Sequence, residues 1–538
     1  MARFPAAIAA ESLSFQFDDG RFLFEDLDVA LGAERTGLVG RNGIGKSVLA
    51  QILAGEKTPS HGRVTRRAKI GFMPQDAADR MQGSLADALD VAERLKALAR
   101  IEAGGVDPAD FEVLGEGWTL KEDLHAALQA FEISARLVDP VEQLSGGERT
   151  RLALLHLELQ MPEFLILDEP TNHLDRSGRR WLAERLERWQ KGALIVTHDR
   201  DLLDVVDQIF ELTGLGLQKY GGNYDLYHVQ KETELEAAHR TLASAEAAQS
   251  RERREAQARK ERQAQRDAYG RKQRGTGSQS KMLLDAAQAR AEASSSRLTR
   301  IEAQRRECAE TATEEARAAL ERSDPLSLFV PSAAPAQGVL VALQDVVMPY
   351  GGPALRNGLS FQLAAGERVA LSGANGAGKS TVMRLVEGAI DPLSGHVSRR
   401  VARRARLDQH LSFLDRERSG FENLQMREPE LSDAMARTRL AQLRLRGDRA
   451  LLPVADLSGG ERLKVALACI FGGRAAPSLL LLDEPDNHLD FESLAALEGA
   501  LRNYDGALLV VSHSDAFLEA IGIERRIDLD ETEGLSSP

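Results

Sequence analysis

Residues 40–47 read GRNGIGKS and residues 373–380 read GANGAGKS. Each fits the pattern G-x-x-x-x-G-K-[ST], and the first copy lies between the apolar TGLV and the helix-like VLAQILAG, the context of a strand-to-helix turn. A turn of this kind offers backbone N–H groups to an anion, backed by the positive end of the following helix. Its lysine, Lys46 or Lys379, can neutralise terminal phosphates, and its hydroxyl, Ser47 or Ser380, can bind Mg²⁺. A glycine turn that only bends the chain is the plain alternative for one copy, and two copies in the same context make it negligible. The expected nucleotide-binding residues are Gly40, Arg41, Asn42, Gly43, Ile44, Gly45, Lys46, Ser47 and Val48 in the first loop. In the second they are Gly373, Ala374, Asn375, Gly376, Ala377, Gly378, Lys379, Ser380 and Thr381.

The duplication extends well beyond the loops. LSGGER recurs at 144 and 457, LILDEPTNHLD at 165 is echoed by LLLDEPDNHLD at 480, and each half carries a late histidine, His198 in VTHD and His513 in VSHS. The apolar runs before Asp168 and Asp483 read as strands of an α/β sheet, which places these aspartates at a strand's carboxyl end, able to hold a Mg²⁺ shell. Glu169 and Glu484 follow directly and can orient or deprotonate an attacking water. Ser145, Gly146 and Gly147, like Ser458, Gly459 and Gly460, open a helix and form a further anion site. The copies are offset by 333 residues at the loops but by 315 at the aspartates and histidines. Gln75 to Ser145 spans 70 positions against 49 from Gln409 to Ser458, so the first half carries a short helical insertion near 84–125.

At 538 residues the chain has room for about three or four domains. Its 43% hydrophobic and 28% charged residues exclude wholesale disorder. Two cysteines, Cys308 and Cys469, cannot build a disulfide framework or a four-thiolate metal site. No stretch approaches the roughly 18 to 20 apolar residues of a membrane span, and no signal-peptide core precedes Glu11, so a cytoplasmic protein is expected. The net charge of −13 argues, taken alone, against a nucleic-acid partner.

The middle of the chain qualifies that argument. Residues 231–335 are rich in Ala, Glu, Arg, Gln and Lys, the composition of long exposed helices, with a break at YGRKQRGTGSQSK, 269–281. Two helices of about 35 residues forming an antiparallel hairpin are expected here, followed by the linker PSAAPAQG. Residues 251–281 hold 11 Lys or Arg against 4 Asp or Glu, a local charge of +7 that suits contact with an RNA backbone. The expected domains are therefore 1–230, 231–335 and 336–538.

In this order, a phosphate loop, a glutamine, LSGG, Asp-Glu and a late histidine resemble the nucleotide domains of the ATP-binding cassette superfamily. The resemblance implies two α/β P-loop cassettes, each with a helical subdomain, that sandwich two ATP molecules. Ser145 and Gly147 would complete the site of Lys379, and Ser458 and Gly460 the site of Lys46. It further implies that Gln75 and Gln409 sense Mg²⁺ and the attacking water, that His198 and His513 contact the γ-phosphate, and that Phe17 and Tyr350 stack on adenine, with Phe15 an equal choice beside Phe17. EPTNHLD, tandem cassettes and a charged inter-cassette hairpin resemble the ABC-F group, whose characterised members act on ribosomes. The implied function is an ATP-hydrolysing, ribosome-binding factor that modulates translation, a monomer whose hairpin approaches tRNA and rRNA. The insertion falls where the group carries an arm towards the ribosomal stalk.

Two other readings compete. An importer's tandem ATPase subunit does not need the NHLD sequence or a hundred-residue hairpin. A chromosome or DNA-repair ATPase would carry longer coils inside one cassette or metal-binding cysteines. The halves differ at Thr171 against Asp486, Asp199 against Ser514 and Val48 against Thr381. None of these exchanges removes a catalytic candidate, so two competent sites are expected.

Overall fold

A computed structural model describes the chain apart from residues 1–5, 173, 275–303, 350–352, 402, 409–410, 446, 458, 474, 488 and 531–538; between 304 and 329 it describes only 304, 308, 311, 313 and 314. Gln409, Ser458 and Tyr350 therefore lie outside the described residues, as does most of the basic turn at 269–281. The chain divides into two compact units, one formed by Met1–Asp225 with Leu326–Pro538, the other by Leu226–Pro325.

In the first half of the larger unit, β1 (Ile8–Gln16) lies between β2 (Phe22–Leu31) and β4 (His61–Arg66) in an antiparallel sheet. The central sheet has the order β5-β6-β7-β3-β8-β9, built from β3 (Arg35–Gly40), β5 (Ile70–Met73), β6 (Phe164–Asp168), β7 (Gly192–Val196), β8 (Gln208–Thr213) and β9 (Gly216–Gly221). Its strands run parallel except β9. Every residue of β6 and β7 is buried, which explains why FLILD and GALIV are nearly continuous apolar runs: a parallel strand covered on both faces has no polar side to show. Leu38 of β3 pairs with Val196 of β7, and Asp168 of β6 also pairs with Val196. The carboxyl ends of these three strands therefore lie side by side, and that is where an α/β sheet binds its ligand.

The second half repeats the plan. β10 (Val339–Val347) lies between β11 (Leu359–Ala364) and β13 (Ser394–Arg399). The parallel sheet has the order β14-β15-β16-β12-β17, from β12 (Arg368–Ser372), β14 (Arg404–Leu407), β15 (Leu479–Asp483), β16 (Ala507–Val511) and β17 (Arg525–Asp528). Asp483 of β15 and Leu371 of β12 both pair with Val511. The insertion near 84–125 is helical, with helices at Ala92–Glu102, Pro108–Leu114 and Leu120–Ala130. Arg100 and Asp110 tie the first two together, and the Phe111 and Trp118 rings lie 6.1 Å apart.

The strand that carries the first loop is pinned at its start. Arg35 donates through Nε at 3.2 Å and Nη2 at 2.8 Å to the Asp207 carboxylate, which also accepts the Arg35 backbone N–H at 2.8 Å. The Arg35 hydrogen bonds hold the Asp207 carboxyl below the usual range. A depressed acid gives stability that is present above its unfolded value near 3.9 and is lost as pH falls through the folded one. Asp207 is 42% exposed, so solvent screens the pair. Asp207→Asn is expected to cost about 1 kcal/mol at neutral pH and progressively less as pH falls below about 3.9, measured by urea unfolding across that range.

In the smaller unit the described helix runs Tyr224–Arg274, 51 residues. It begins before the expected boundary at 231 and continues to Arg274 inside the expected break at 269–281, because a lone Gly270 among good helix formers costs only about 1 kcal/mol against Ala; the rest of that break lies outside the described residues. Pairs one turn apart support so polar a helix, among them Lys231 with Glu234 at 3.5 Å and Arg259 with Glu255 at 2.8 Å.

Candidate nucleotide sites

Both glycine-rich loops close on their own lysines. α1 (Lys46–Ala54) starts after Gly45, whose φ of 108° is a left-handed conformation that suits glycine, and Gly378 does the same at 100° before α4 (Lys379–Glu387). Lys46 Nζ donates to the carbonyls of Gly40 at 2.7 Å and Arg41 at 3.2 Å; Lys379 Nζ donates to those of Gly373 at 2.7 Å and Ala374 at 3.1 Å. Burial pulls both ammonium pKa values down, against the pull of Glu169, Asp490 and Asp168 on Lys46 and of Glu484 and Asp175 on Lys379.

The acids arrive as the sequence places them. Asp168 is 1% exposed, and burial raises its carboxyl while the Ser47 hydroxyl bonds to it and pulls the other way. Its Oδ1 is buried with no hydrogen-bond partner, an acceptor a cation would satisfy. Among the described residues no cluster of three or more His, Cys, Asp or Glu forms a protein-only metal cage. The donor set, one hydroxyl and one carboxylate beside a phosphate loop, is that of a Mg²⁺ ion which keeps water and nucleotide oxygens as its other ligands. Gln75 is exposed in the turn after β5 and Pro74, and Asp76 beside it is close enough to raise Asp168 further.

Glu169 and Glu484 share a strained backbone, with φ of 49° and 51°, and each donates its N–H to the next strand, Glu169 to Val196 O at 2.8 Å and Glu484 to Val511 O at 2.9 Å. A non-glycine residue held left-handed is the kind of local cost that clusters at working sites. The two environments then diverge. Burial pushes the Glu169 carboxyl up to about 8 and the neighbouring His198 imidazole, 3.8 Å away, down to about 3. Glu484 is instead held below the usual range by His513, whose Nε2 lies 3.6 Å from Oε1.

Each LSGG opens a helix, α2 (Gly146–Leu159) in the first half and α5 (Gly459–Phe471) in the second. Ser145 caps α2 in a capping box, accepting from Glu148 N at 3.3 Å while Glu148 accepts from Ser145 N at 3.0 Å. Gly460 is buried, and a Cβ there would stand 3.2 Å from Ser493 Oγ and 3.9 Å from Asn42 Nδ2 of the first loop. The second half's LSGG thus meets the first half's phosphate loop, while Gly147 is half-buried. Phe15 is buried in the core, whereas Phe17 is 37% exposed with Arg21 over its ring at 5.3 Å, so of the two aromatic choices only Phe17 is open to solvent.

Several residues at this junction are absent from the motif reading. Asp490 caps α6 (Phe491–Asn503) through Ser493 N at 2.9 Å and accepts the Asn42 N–H across the junction at 2.8 Å. Burial opposes its charge, but these donors hold its carboxyl low. On the other side, Asp175 is close enough to act on both Lys379 and His513. The duplication of NHLD is the signal that could have singled out both aspartates. Four arginines of the first half meet acidic or amide groups of the second: Arg41 with Glu492 at 3.1 Å, Arg179 with Asn487 at 3.0 Å, Arg200 with Glu498 at 2.9 Å, and Arg176 with Asp515. The His198 and Phe491 rings meet edge to face at 5.5 Å.

The model of the family described as ABC transporter matches residues 26–172 and 356–487. The chain is 31% identical over 534 residues to the energy-dependent translational throttle protein EttA of Haemophilus influenzae, covering 93% of this chain and 88% of that protein. It is also 31% identical to the probable ATP-binding protein YheS of the same organism, over 89% of this chain and 72% of the other. Among solved structures it resembles the archaeal ribosome recycling factor aABCE1 in its complex with the ribosomal stalk protein aP1. There the TM-score is 0.60 at 19% identity, over 96% of this chain and 87% of that one, a likeness of fold.

Proposed function

We propose, from the premise that the chain belongs to the ATP-binding cassette family and to its ABC-F branch, that it is an ATPase which binds ribosomes and modulates translation. The observation that carries this reading is similarity along more than nine-tenths of the chain to a translational throttle. ATP sits in two composite sites. At the first, the loop Gly40–Val48 cradles the phosphates, Lys46 meets their charge, and Ser458 and Gly460 close the site from the other cassette. At the second, Gly373–Thr381 and Lys379 do the same, closed by Ser145 and Gly147. Phe17 and Tyr350 take the adenines.

Mg²⁺, when bound, neutralises phosphate charge as it develops in phosphoryl transfer; Ser47, Asp168 and Gln75 would hold it at the first site, and Ser380, Asp483 and Gln409 are the equivalent residues at the second. Glu169 and Glu484 orient the attacking water and take its proton, and His198 and His513 touch the γ-phosphate. The raised carboxyl of Glu169 makes it a stronger base than an exposed glutamate once ionised, and its strained backbone fixes where it points. ATP draws the cassettes together, and the basic linker contacts tRNA and rRNA in the cytoplasm, one chain acting as a monomer. No described helix is long and apolar enough to cross a membrane, in keeping with a partner in solution.

The test is cosedimentation with ribosomes of the variant Glu169→Gln/Glu484→Gln, which keeps the lysine, serine and aspartate ligands. It is expected to pellet with ribosomes in ATP and to stay in the supernatant without it; failure to pellet despite normal ATP binding refutes the reading. A variant lacking residues 240–325 is expected to bind roughly tenfold or more weakly, with a shallower loss as salt rises, because its cationic contacts are gone.

A further inference from the structure

The second site contains an ion pair where the first has two apolar side chains. Phe72 of β5 pairs in register with Ile166 of β6, and Arg406 of β14 pairs with Leu481 of β15, so Arg406 occupies the place of Phe72. α1 ends in Ala54 where α4 ends in Glu387. Ala54 and Phe72 pack against the core of the first half. In the second half, Arg406 Nη1 donates to Glu387 Oε2 at 2.9 Å and Nη2 donates to Asp483 Oδ2 at 3.0 Å. Ser380 Oγ donates to the remaining oxygen, Asp483 Oδ1, at 3.4 Å.

Both oxygens of Asp483 are therefore engaged by this chain, whereas Asp168 Oδ1 has no hydrogen-bond partner. The Arg406 side chain is 16% exposed and anchored by Glu387, so it is fixed beside the carboxylate. A guanidinium cannot shed its charge at any working pH, and it repels a divalent ion competing for the same oxygens. The same loop also has an internal anion, since Ala374 N donates to Asp530 Oδ2 at 2.5 Å. Both loops thus donate to a carboxylate of the chain, Asn42 N to Asp490 and Ala374 N to Asp530, but only the second site supplies a cation of its own to the aspartate that ends the strand.

We propose that Arg406 is a built-in counter-cation of the second ATP site, occupying Asp483 so that nucleotide binding there is nearly independent of Mg²⁺, while the first site keeps Asp168 for the ion. The proposal rests on the reading of the two loops as ATP sites. A consequence is that most turnover comes from the first site.

The experiment isolates each site and measures binding. Lys46→Ala leaves the second site and Lys379→Ala the first; each protein is titrated with a fluorescent ATP analogue in Mg²⁺ and in EDTA. Removing Mg²⁺ is expected to weaken the first site about tenfold or more and the second less than about threefold. In the Lys46→Ala protein, Arg406→Phe is expected to raise the second site's dependence to about tenfold, and Arg406→Lys, which keeps a cation, to leave it low. Glu387→Ala/Arg406→Phe installs the pair found in the first half, so it avoids a stranded Glu387 and is expected to match Arg406→Phe. Mn²⁺ electron paramagnetic resonance on the otherwise unaltered chain with nucleotide is expected to count one tightly held ion, and two after that double exchange. Equal dependence at the two sites, or no change on either exchange at Arg406, overturns the proposal and leaves the ATP reading intact. If neither single-site protein binds the analogue in any buffer, the ATP reading fails and the proposal fails with it.

Discussion

Replacing Glu169 and Glu484 together by glutamine is expected to lower steady-state ATP hydrolysis by about 10²–10⁴-fold, or about 3–5 kcal/mol in the barrier, with nucleotide affinity within about threefold. The amide keeps the volume of the carboxylate and its one-carbonyl reach but cannot accept a proton from water. Affinity holds because the groups facing the phosphates, Lys46 and Lys379 above all, are untouched. The backbone argues for the same outcome: both acids sit at positive φ with their N–H groups bonded to Val196 and Val511, and glutamine inherits that geometry unchanged. Single turnover measured by quenched flow separates this from a defect in nucleotide release, since a slowed chemical step abolishes the first turnover as well as later ones. A loss below about tenfold would mean that another group takes the proton.

Asp490→Ala is the second large effect. The side chain is 7% exposed and serves two elements, capping α6 through Ser493 N and accepting the Asn42 N–H from the first loop. Loss of a cap costs about 0.5–2 kcal/mol, and loss of a charge-assisted acceptor in a buried place about 1.5–3 kcal/mol. The expected total is about 2–5 kcal/mol, seen as a lower thermal midpoint of the nucleotide-free protein. Asp490→Asn keeps one acceptor oxygen where the two N–H groups use both carboxylate oxygens, so it is expected to recover only part of that loss. Because Asn42 belongs to the phosphate loop, Asp490→Ala is also expected to weaken ATP at the first site more than at the second, read with the same single-site proteins. An equal effect on both sites would mean that the aspartate acts only as a helix cap.

Much of the site was legible because its chemistry requires particular atoms at particular spacings. A lysine and a hydroxyl after a glycine turn, or an acid pair ending an apolar run, read the same way before and after folding. The burial that distinguishes Phe15 from Phe17 was not readable, since both are aromatic and two residues apart, the spacing of one strand face, and only the end of β1 at Gln16 leaves Phe17 outside the packed strand. Arg406 and Glu387 were hidden for another reason. They lie 19 residues apart, and only the alignment of β14 beside β15 brings that arginine onto Asp483. The contact between Asp490 and Asn42 spans 448 residues and depends on how the halves meet, which no local pattern encodes. The helix from Tyr224 enters the expected break and reaches Arg274 because the single Gly270 is a weak stop; the glycines at 275 and 277 lie outside the described residues.

The charges at the junction have an evolutionary meaning. Arg41, Arg176, Arg179 and Arg200 have as their counterparts in the second half Ala374, Phe491, Leu494 and Asp515, while Glu492 and Glu498 correspond to Ser177 and Ala183. The doubled sequence must once have coded for two identical faces, and those faces have since taken opposite sign. A copy of the first half set against itself would bring Arg176 towards Arg200 and set Arg41 and Arg200 against Ser177 and Ala183, with no acid to receive them. Recombination between the two repeats, which tandem sequences invite, is therefore expected to yield a product that pairs with itself less well than the two halves pair with each other.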